Sequence, residues 1–592
     1  MKYVLDEAKK ELTAAIEKAI KNIPSLKGIE FVDIKDLIRD IPKDKGCGFS
    51  LMCMAFSDAS NAKNNYEIAK ELEEKINASK LKYFNNIKNE NGYLNFYFNT
   101  KKINQEVINN FQKLGTKYGM GKSGKDKTII IDYSAPNIAK PFSIGHLRTT
   151  IIGQALYNIY ESQGYKVIGD NHIGDWGTQF GKLITAYKKW GDRTKINQDP
   201  IKELLNLYIK FHKEAEIEPV LNDEAREWFK KLECGDSEAR KIWQWMRDVS
   251  LEEFNVIYDM LGIKFDETLG ESFYEDKMDE IVKMCEKKDL AKWVPALDEN
   301  QIQTKNEKVL MIDLKKYGIK TPALLKKSDG TTLYFTRDLA TAKYRIKTWN
   351  PKKIIYVVGS EQKLYFRQLF KVLELLGYDS KLFEHIYFGL INLSEGKMST
   401  RAGRVIFLKD VLDEAIERVK NILVDRNLSK EEKAEIAGIV GIGAIKYADL
   451  SQDKKHNILF DWKRILNLKG NSGPYLQYQY VRIGSILAKG KFNKNNKVNS
   501  ELLIKDEEKK LIQLMMHFNE NIKNITVNHQ VHNLANYLYE LATEFSRFYE
   551  KVPVLKAENK DLKATRLYLC FMCSQILKSG LNLLGIEVPE KM

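Results

Sequence analysis

Ser134-Ala-Pro-Asn-Ile-Ala-Lys-Pro-Phe-Ser-Ile-Gly-His-Leu-Arg-Thr150 is the stretch on which the reading of this chain turns. The run before it, Lys127-Thr-Ile-Ile-Ile-Asp-Tyr133, is short, apolar and β-branched, and predicts a buried strand. After it, Ile144, Leu147, Ile151, Ala155 and Ile159 recur at helical spacing as far as Gly164. Residues 136–145 are therefore expected to form a strand-to-helix turn. Pro141 suits the approach to a helix and not its interior, and Ser143 is the expected N-cap. Such a turn aims backbone N–H groups and the positive end of a helix dipole at one point, an arrangement suited to phosphate. Gly145 leaves its backbone open to a flat ring, and His146 stands in the first helical turn, where its ring can donate to a phosphate oxygen.

Working outward, apolar strands and amphipathic helices alternate. Strands are expected at Tyr165–His172, Leu333–Thr336, Lys353–Val358 and His385–Asn392, with helices at 338–348 and 361–376. A long helical insertion, rich in Trp and charge, falls at about 183–261. This alternation predicts an α/β domain with a Rossmann-like, doubly wound parallel sheet over about 123–409, ligands lying beyond the carboxyl ends of the strands. Residues 1–122 read as a separate α+β module, with helices at Leu5–Ile23 and Asn64–Ile76 and an aromatic strand at Gly92-Tyr-Leu-Asn-Phe-Tyr-Phe98. The Gly- and Lys-rich run from Gly119 to Lys127 marks the boundary. From Asp410 onward the pattern is almost wholly helical, so residues 410–592 are expected to form an all-α bundle.

Composition sets further bounds. A chain of 592 residues has room for roughly three or four domains. Its 43% hydrophobic content supports packed cores, and its net charge of +15 favours a polyanionic partner such as nucleic acid. Six cysteines are too sparse for a disulfide framework and point to a reducing compartment. With acidic residues Asp6 and Glu7 near its start and no long apolar run, the chain is expected to be cytosolic, neither secreted nor membrane-spanning. Cys570-x-x-Cys573 lies in an apolar helical run without a second pair and reads as buried and inert. His529-x-x-His532 reads as helix surface.

Three further segments carry chemistry. Gly174-Asp-Trp-Gly-Thr-Gln-Phe-Gly181 describes a tight turn after the second strand. Glu395-Gly-Lys-Met-Ser-Thr-Arg-Ala-Gly-Arg404 is a flexible basic loop whose lysine can neutralise charge developing on a triphosphate. In the helical part, Tyr475 and Tyr478 fall one turn apart on one helix face, where aromatics among basic residues can pack in a core or stack unpaired bases.

Taken together, Asn137-Ile-Ala-Lys-Pro-Phe with Gly-His-Leu-Arg148 resembles the first signature of class I aminoacyl-tRNA synthetases, in the form used by the arginyl-tRNA synthetase family. That signature normally reads His-x-Gly-His, and Ser143 here replaces its first histidine. Gly174–Gly181 is similar to a stretch typical of the same family. Lys397-Met-Ser-Thr400 looks like the second signature, Lys-Met-Ser-Lys, with Thr400 in place of the last lysine. Ala444–Ser451, Phe460-Asp-Trp462, Gly470–Tyr478 and the ending Leu-Gly-Ile-Glu-Val-Pro-Glu-Lys-Met592 resemble its anticodon-binding bundle.

The resemblance implies two steps: arginine and ATP give arginyl-adenylate, and the activated carboxyl then passes to the terminal ribose of tRNA(Arg), with bound tRNA usually needed for the first step. It implies that His146, Lys397 and Ser143 act at the phosphates; separately, Lys140, just before the helix N-terminus, is expected to supply part of the charge lost at Thr400. Pro136, Gly145, His146, Lys397, Met398 and Ser399 would line the ATP site, ATP entering with Mg²⁺ and no zinc held by the protein. Asn137, Glu271, Tyr334, Asp338 and Gln362 would hold arginine. A planar, permanently charged fork is best met by carboxylates, and Glu271 and Asp338 are both expected near strand ends. Asn95, Tyr475, Tyr478, Tyr549 and Met592 would contact tRNA, and the protein is expected to be a monomer. The competing expectation is a synthetase-like tRNA-binding protein that has lost catalysis through Ser143 and Thr400. A glutamate- or cysteine-specific relative would instead show basic residues or zinc ligands in place of the two acids.

Overall fold

The computed structural model describes the chain apart from residue 1 and residues 27–32, 43–45, 57–63, 77–79, 298–302, 394–395 and 398–405. Two compact units emerge. One contains Met1–Gly121, Gln479–Asn524 and Tyr537–Ser579; the other contains Lys122–Tyr478, Ile525–Asn536 and Gly580–Met592. The helices after Asp410 are thus shared between both units.

In the first unit, helix Val4–Lys21 buries Leu5, Ala8, Leu12, Ile16 and Ala19 along one face. Helix Asn65–Lys75 begins with a capping box in which Asn64 and Glu67 satisfy each other's backbone N–H groups. Four antiparallel strands follow the order Ile38–Asp40, Gly48–Met52, Tyr93–Phe98, Phe84–Glu90. The aromatic strand is central: Leu94, Phe96 and Phe98 are buried, while Tyr93 is exposed.

The second unit is built on four parallel strands in the order Phe383–Phe388, Lys353–Gly359, Thr128–Asp132, Lys166–Asp170. From the two central strands the chain winds outward in opposite directions, so the order reverses between Thr128–Asp132 and Lys353–Gly359. In an open parallel sheet the crevice at such a reversal is where ligands bind. Helix Leu147–Ser162 connects the first pair and is buried around most of its circumference, including Ile151, Ile152, Ala155 and Ile159. The insertion folds as helices Thr178–Trp190, Arg193–Gln198, Pro200–Ile217, Val220–Glu233 and Ser237–Met260.

Two expectations are corrected here. Leu333–Thr336 is no strand: Tyr334 opens helix Tyr334–Trp349, which buries Phe335, Leu339, Ala340 and Ala342. Four apolar residues cannot separate a strand from a first helical turn by periodicity. Asp338 therefore stands one turn above Tyr334 on a helix, and it faces His172 just beyond the end of strand Lys166–Asp170. His529 is not on a helix surface either. It lies between helices, adopts φ 56° and is 2% exposed. A three-stranded antiparallel sheet, Ala291–Leu297, Gln303–Ile312 and Ala323–Lys326, adds an element that the β/α alternation does not announce.

Cys570 and Cys573 are buried, and burial pushes both thiols upward, as expected for an inert pair. No helix among the described residues is long and apolar enough to cross a membrane.

Candidate active site

The turn after strand Thr128–Asp132 occupies the reversal point. It holds Ser134, Ala135 and Ala139 at φ 74°, 48° and 58°, a backbone region that side-chain-bearing residues seldom adopt. Neighbouring groups sustain that geometry. Ser134 N–H donates to Thr149 Oγ1 at 3.0 Å, and Ala135 N–H donates to Asn171 Oδ1 at 3.1 Å. Thr149 in turn donates to the Val357 carbonyl at 2.6 Å, tying the turn to the neighbouring central strand.

At the far end of the turn, His146 Nδ1 lies 3.1 Å from the Ser143 N–H and 3.2 Å from the Ser143 hydroxyl. A backbone N–H can only donate, so Nδ1 accepts and the neutral ring carries its proton on Nε2. Burial lowers the ring's proton affinity and favours this neutral form. The residue that replaces the first histidine of the signature thus fixes the tautomer of the second. Gly145 is exposed, as an approaching ring requires.

The first signature segment meets residues 406–408, which follow the basic loop, through backbone contacts. Ser143 bridges Phe407, Ile144 N–H donates to the Ile406 carbonyl at 3.2 Å, and Leu408 N–H donates to the Phe142 carbonyl at 2.9 Å. Gly396–Lys397 enters the loop paired with strand Ile391–Leu393. Met398 and Ser399 lie outside the described residues.

A second set of residues gathers carboxylates and their partners. Asn137 and Gly174 form a parallel bridge, and a Cβ on Gly174 would stand 2.2 Å from Asn137 Oδ1, so a side chain there would displace that amide. The next residue, Asp175, is fully buried. It accepts from Ser272 N–H at 2.8 Å, from the Ser272 hydroxyl at 2.8 Å and from Arg247 Nε at 3.1 Å. Glu271 N–H also donates to the Ile173 carbonyl at 3.0 Å. The tight turn at 174–177 is therefore a clamp that places Glu271. The Glu271 carboxylate faces Arg337 Nη1 at 3.3 Å, and Arg337 Nη2 reaches Glu275 at 3.5 Å. Burial raises the Glu271 carboxyl, while Arg337 and His172 oppose that rise. Burial likewise raises Asp338, which accepts from the Tyr365 hydroxyl and lies 3.8 Å from His172 Nε2. Tyr334 is 60% exposed at the rim, its ring 5.5 Å from that of Tyr365. Gln362 is exposed at the end of strand Lys353–Gly359, one residue before the helix that carries Tyr365. Sequence reasoning named Asn137, Glu271, Tyr334 and Asp338, which these contacts join. It missed His172, Arg337 and Tyr365 as members of the site. The only available signal was that each sits within three residues of a named segment.

Beneath the site, Arg345 is fully buried between the paired strand ends Asp132 and Asp170, with Nη2 2.7 Å and 2.8 Å from them. This pins the helix that carries Asp338 to the sheet. Arg148, the last residue of the Gly-His-Leu-Arg motif, is also internal. It pairs with Asp449 at 3.0 Å and donates to the Gly389 and His456 carbonyls at 2.7 and 2.9 Å.

The residues expected at tRNA have varied surroundings. Asn95 is 4% exposed and donates to Glu90 Oε2 at 3.0 Å; it lines a groove with Arg39, Met52 and Tyr93. Tyr475 is half-buried and Tyr478 is 40% exposed, both on helix Gly473–Lys489. Tyr549 stacks on Phe545 and has the Arg482 guanidinium 5.3 Å from its ring centre. Met592 packs beside Val419, Leu423 and Ile436.

A doubly wound sheet whose reversal point carries a strained turn ending in Gly-His is the architecture of a class I aminoacyl-tRNA synthetase. Residues 106–462 match the family described as tRNA synthetases class I (R), catalytic domain, and residues 476–592 match the DALR anticodon binding domain. The chain is 42% identical over 584 residues to the arginine–tRNA ligase of Clostridioides difficile, covering 98% of this chain and all of that one. It is 43% identical over 562 residues to the arginine–tRNA ligase of Halothermothrix orenii, covering 95% and 96%. The chain belongs to the arginyl-tRNA synthetase family. Its fold is like that of Thermus thermophilus arginyl-tRNA synthetase, with a TM-score of 0.81 at 22% identity over 99% of this chain and all of that one. It is also like that of the Plasmodium falciparum arginyl-tRNA synthetase, with a TM-score of 0.79 at 24% identity over 99% of each.

Proposed function

We propose that this chain activates arginine with Mg-ATP and transfers it to the 3′-terminal ribose of tRNA(Arg), with activation dependent on bound tRNA. The observation that carries the reading is the pair of acids, Glu271 and Asp338, held by the clamp at Asp175 and by Tyr365 beside the crevice where the sheet order reverses. A guanidinium binds two such acids as a fork, and a neutral or shorter side chain forgoes those charge-assisted bonds to partly desolvated acids, which costs on the order of 2–5 kcal/mol. Tyr334 closes the rim over the side chain, while Asn137 and Gln362 hold the α-amino and carboxylate end.

In the first step a carboxylate oxygen of arginine attacks the α-phosphorus of ATP in line, and pyrophosphate leaves. Pro136 and Gly145 let the nucleotide approach the backbone of the turn. His146 donates from Nε2 to a phosphate oxygen, and Ser143 keeps the ring in that tautomer. Lys397, with Met398 and Ser399 beside it in the loop, neutralises charge on the departing phosphates, and Lys140 supplies part of what Thr400 lacks. In the second step a ribose hydroxyl of tRNA attacks the activated carbonyl and AMP leaves. The protein's part is positioning and charge stabilisation throughout.

Residues 1–122 serve in this reading as a tRNA-binding module that uses Asn95, 123–409 as the catalytic domain, and 410–592 as the anticodon-binding part with Tyr475, Tyr478, Tyr549 and Met592. The protein works as a cytosolic monomer. The test is ATP–pyrophosphate exchange with and without total tRNA, with arginine and with lysine. Exchange that needs both arginine and tRNA supports the reading. Binding of tRNA without exchange for any amino acid would mark a relative that has lost its chemistry.

A further inference from the structure

In the last helix of the insertion, Ser237–Met260, the residues Trp243, Arg247, Ser250, Phe254 and Tyr258 follow one another at intervals of three or four and so share one face. A stripe of that period ordinarily packs a core and is apolar throughout. Here four of the five bring a polar group to it, and all but Arg247 are at most 7% exposed. A buried donor or acceptor is costly unless it is bonded, so the partners of this stripe show what the helix holds.

Its first half grips the segment that carries Glu271. Trp243 Nε1 donates to the Asp175 carbonyl at 2.7 Å, and Arg247 Nε donates to the Asp175 carboxylate at 3.1 Å. Ser272 donates to the same carboxylate from its N–H and from its hydroxyl, each at 2.8 Å. On the other side of Glu271, a Cβ on Gly270 would stand 2.4 Å from Asp175 Oδ2, so the carboxylate lies directly on that backbone. Asp175 thus touches both chain neighbours of Glu271, and Arg247 is the counter-charge that keeps it there.

The second half grips the turn that carries His146. Ser250 Oγ gives its proton to the Met246 carbonyl at 2.7 Å and presents a lone pair to the Ala139 N–H at 3.3 Å. The Tyr258 hydroxyl lies 2.9 Å from Ser134 Oγ and accepts from Asn171 Nδ2 at 3.1 Å, while Asn171 Oδ1 accepts the Ala135 N–H. Ser134, Ala135 and Ala139 are the three left-handed residues of that turn, and such backbone persists where its surroundings over-determine it. Phe254 and Tyr258 also pack on Phe142 at 5.4 and 5.5 Å between ring centres, and the Phe142 ring lies 5.2 Å from that of His146.

We infer that one face of helix Ser237–Met260 positions both substrates, with the work divided along its length: Trp243 and Arg247 set the arginine site through Asp175, and Ser250 and Tyr258 set the ATP turn through Ala139, Ser134 and Asn171. The inference rests on the arginine reading above. These residues act through others, so they are positioning residues and not catalytic ones. The two halves therefore govern different kinetic constants. Asn137, although part of the turn, is bridged separately to Gly174, so loosening Ala139 leaves the arginine end in place.

The experiment is ATP–pyrophosphate exchange by the full-length protein with tRNA present, with KM measured for each substrate at saturation of the other and the melting temperature of every variant recorded. Arg247→Lys keeps the charge and loses the planar fork; it should raise KM for arginine about tenfold while changing KM for ATP by less than about twofold. Ser250→Ala should do the reverse, lowering kcat/KM for ATP about fivefold at nearly unchanged KM for arginine. Trp243→Phe removes one donor to Asp175 and keeps a ring against Trp176; it should follow Arg247→Lys at smaller size, and it decides if Arg247→Lys does not fold. Variants that move both substrates' constants by the same factor overturn the inference, because the helix then only holds the fold together. A variant that leaves its assigned constant unchanged overturns it as well. A wild type that exchanges no pyrophosphate with arginine overturns instead the arginine reading on which this rests.

Discussion

Two places in the second unit set carboxylates beside one of the protein's own arginines, and they are built differently. Between Asp132 and Asp170, Arg345 closes the site with the protein's own side chain; it is fully buried, and the two acids are at most 8% exposed. At Glu271 and Asp338 the acids keep 26% and 29% of their side-chain surface. Their partners there are an arginine shared with Glu275, a histidine at 3.8 Å and a tyrosine hydroxyl. In the first case the cation arrives with the fold and the pair locks a helix to the sheet. In the second the acids are only partly covered and stay open to approach, as the proposed arginine site requires. Burial of a charge pair is tolerable when the partner is covalently supplied, whereas recognition needs a partner that can leave.

The comparison can be broken most forcefully at Arg345. Arg345→Ala leaves Asp132 and Asp170 buried without a counter-charge and should lower stability by about 3–5 kcal/mol in denaturant unfolding. A loss below roughly 1 kcal/mol would mean that the closed site is not structural. Asp338→Ala should act the other way, with folding nearly unchanged and kcat/KM for arginine reduced by about 2–5 kcal/mol. Equal loss of melting temperature in both variants would erase the distinction. Ser143→Ala frees the His146 ring from one of its two contacts at Nδ1. It should slow pyrophosphate exchange by about 1 kcal/mol, roughly fivefold, at unchanged KM for arginine. Lys140→Ala is expected to reduce exchange by at most severalfold, in the range of about 0.2–1 kcal/mol for a single solvated charge; undiminished exchange would remove Lys140 from the phosphate site.

The mildest test is a pH one. Burial works against the charge on Glu384, but contacts from His529 at 2.7 Å and Lys353 outweigh it and pull the carboxyl to about 2. A lowered carboxyl contributes stability above the unfolded value near pH 4.3 and loses it as pH falls toward 2. Acid titration of unfolding should show this loss in the wild type and less of it in Glu384→Gln.

The β/α alternation, the Gly-His turn and the helical insertion were legible because each rests on local pattern: β-branched runs of five to seven residues, helical spacing, and glycine where backbone must stay bare. The start of helix Tyr334–Trp349 was not legible, since its first four residues satisfy either period. His529 was misread for a different reason. Its ring bonds Tyr160 at 2.7 Å and Glu384 at 2.7 Å, partners more than a hundred residues away in the chain. The same holds for the motif residues Arg148 and Asp449, whose pairing gives both a structural role that neither segment discloses alone.

From the sequence by itself came the parallel sheet, the position of its ligand turn, the resemblance to the arginyl-tRNA synthetase family and the acids suited to a guanidinium. All of these depend on residue type and near spacing. The tertiary structure alone decided that Asp175 clamps Glu271, that Tyr365 and His172 face Asp338, and which acids are closed by Arg345 and which stay reachable. Those are outcomes of side chains meeting from distant segments in a desolvated interior. There a few tenths of a nanometre separate a structural ion pair from a binding site, and no local pattern records that distance.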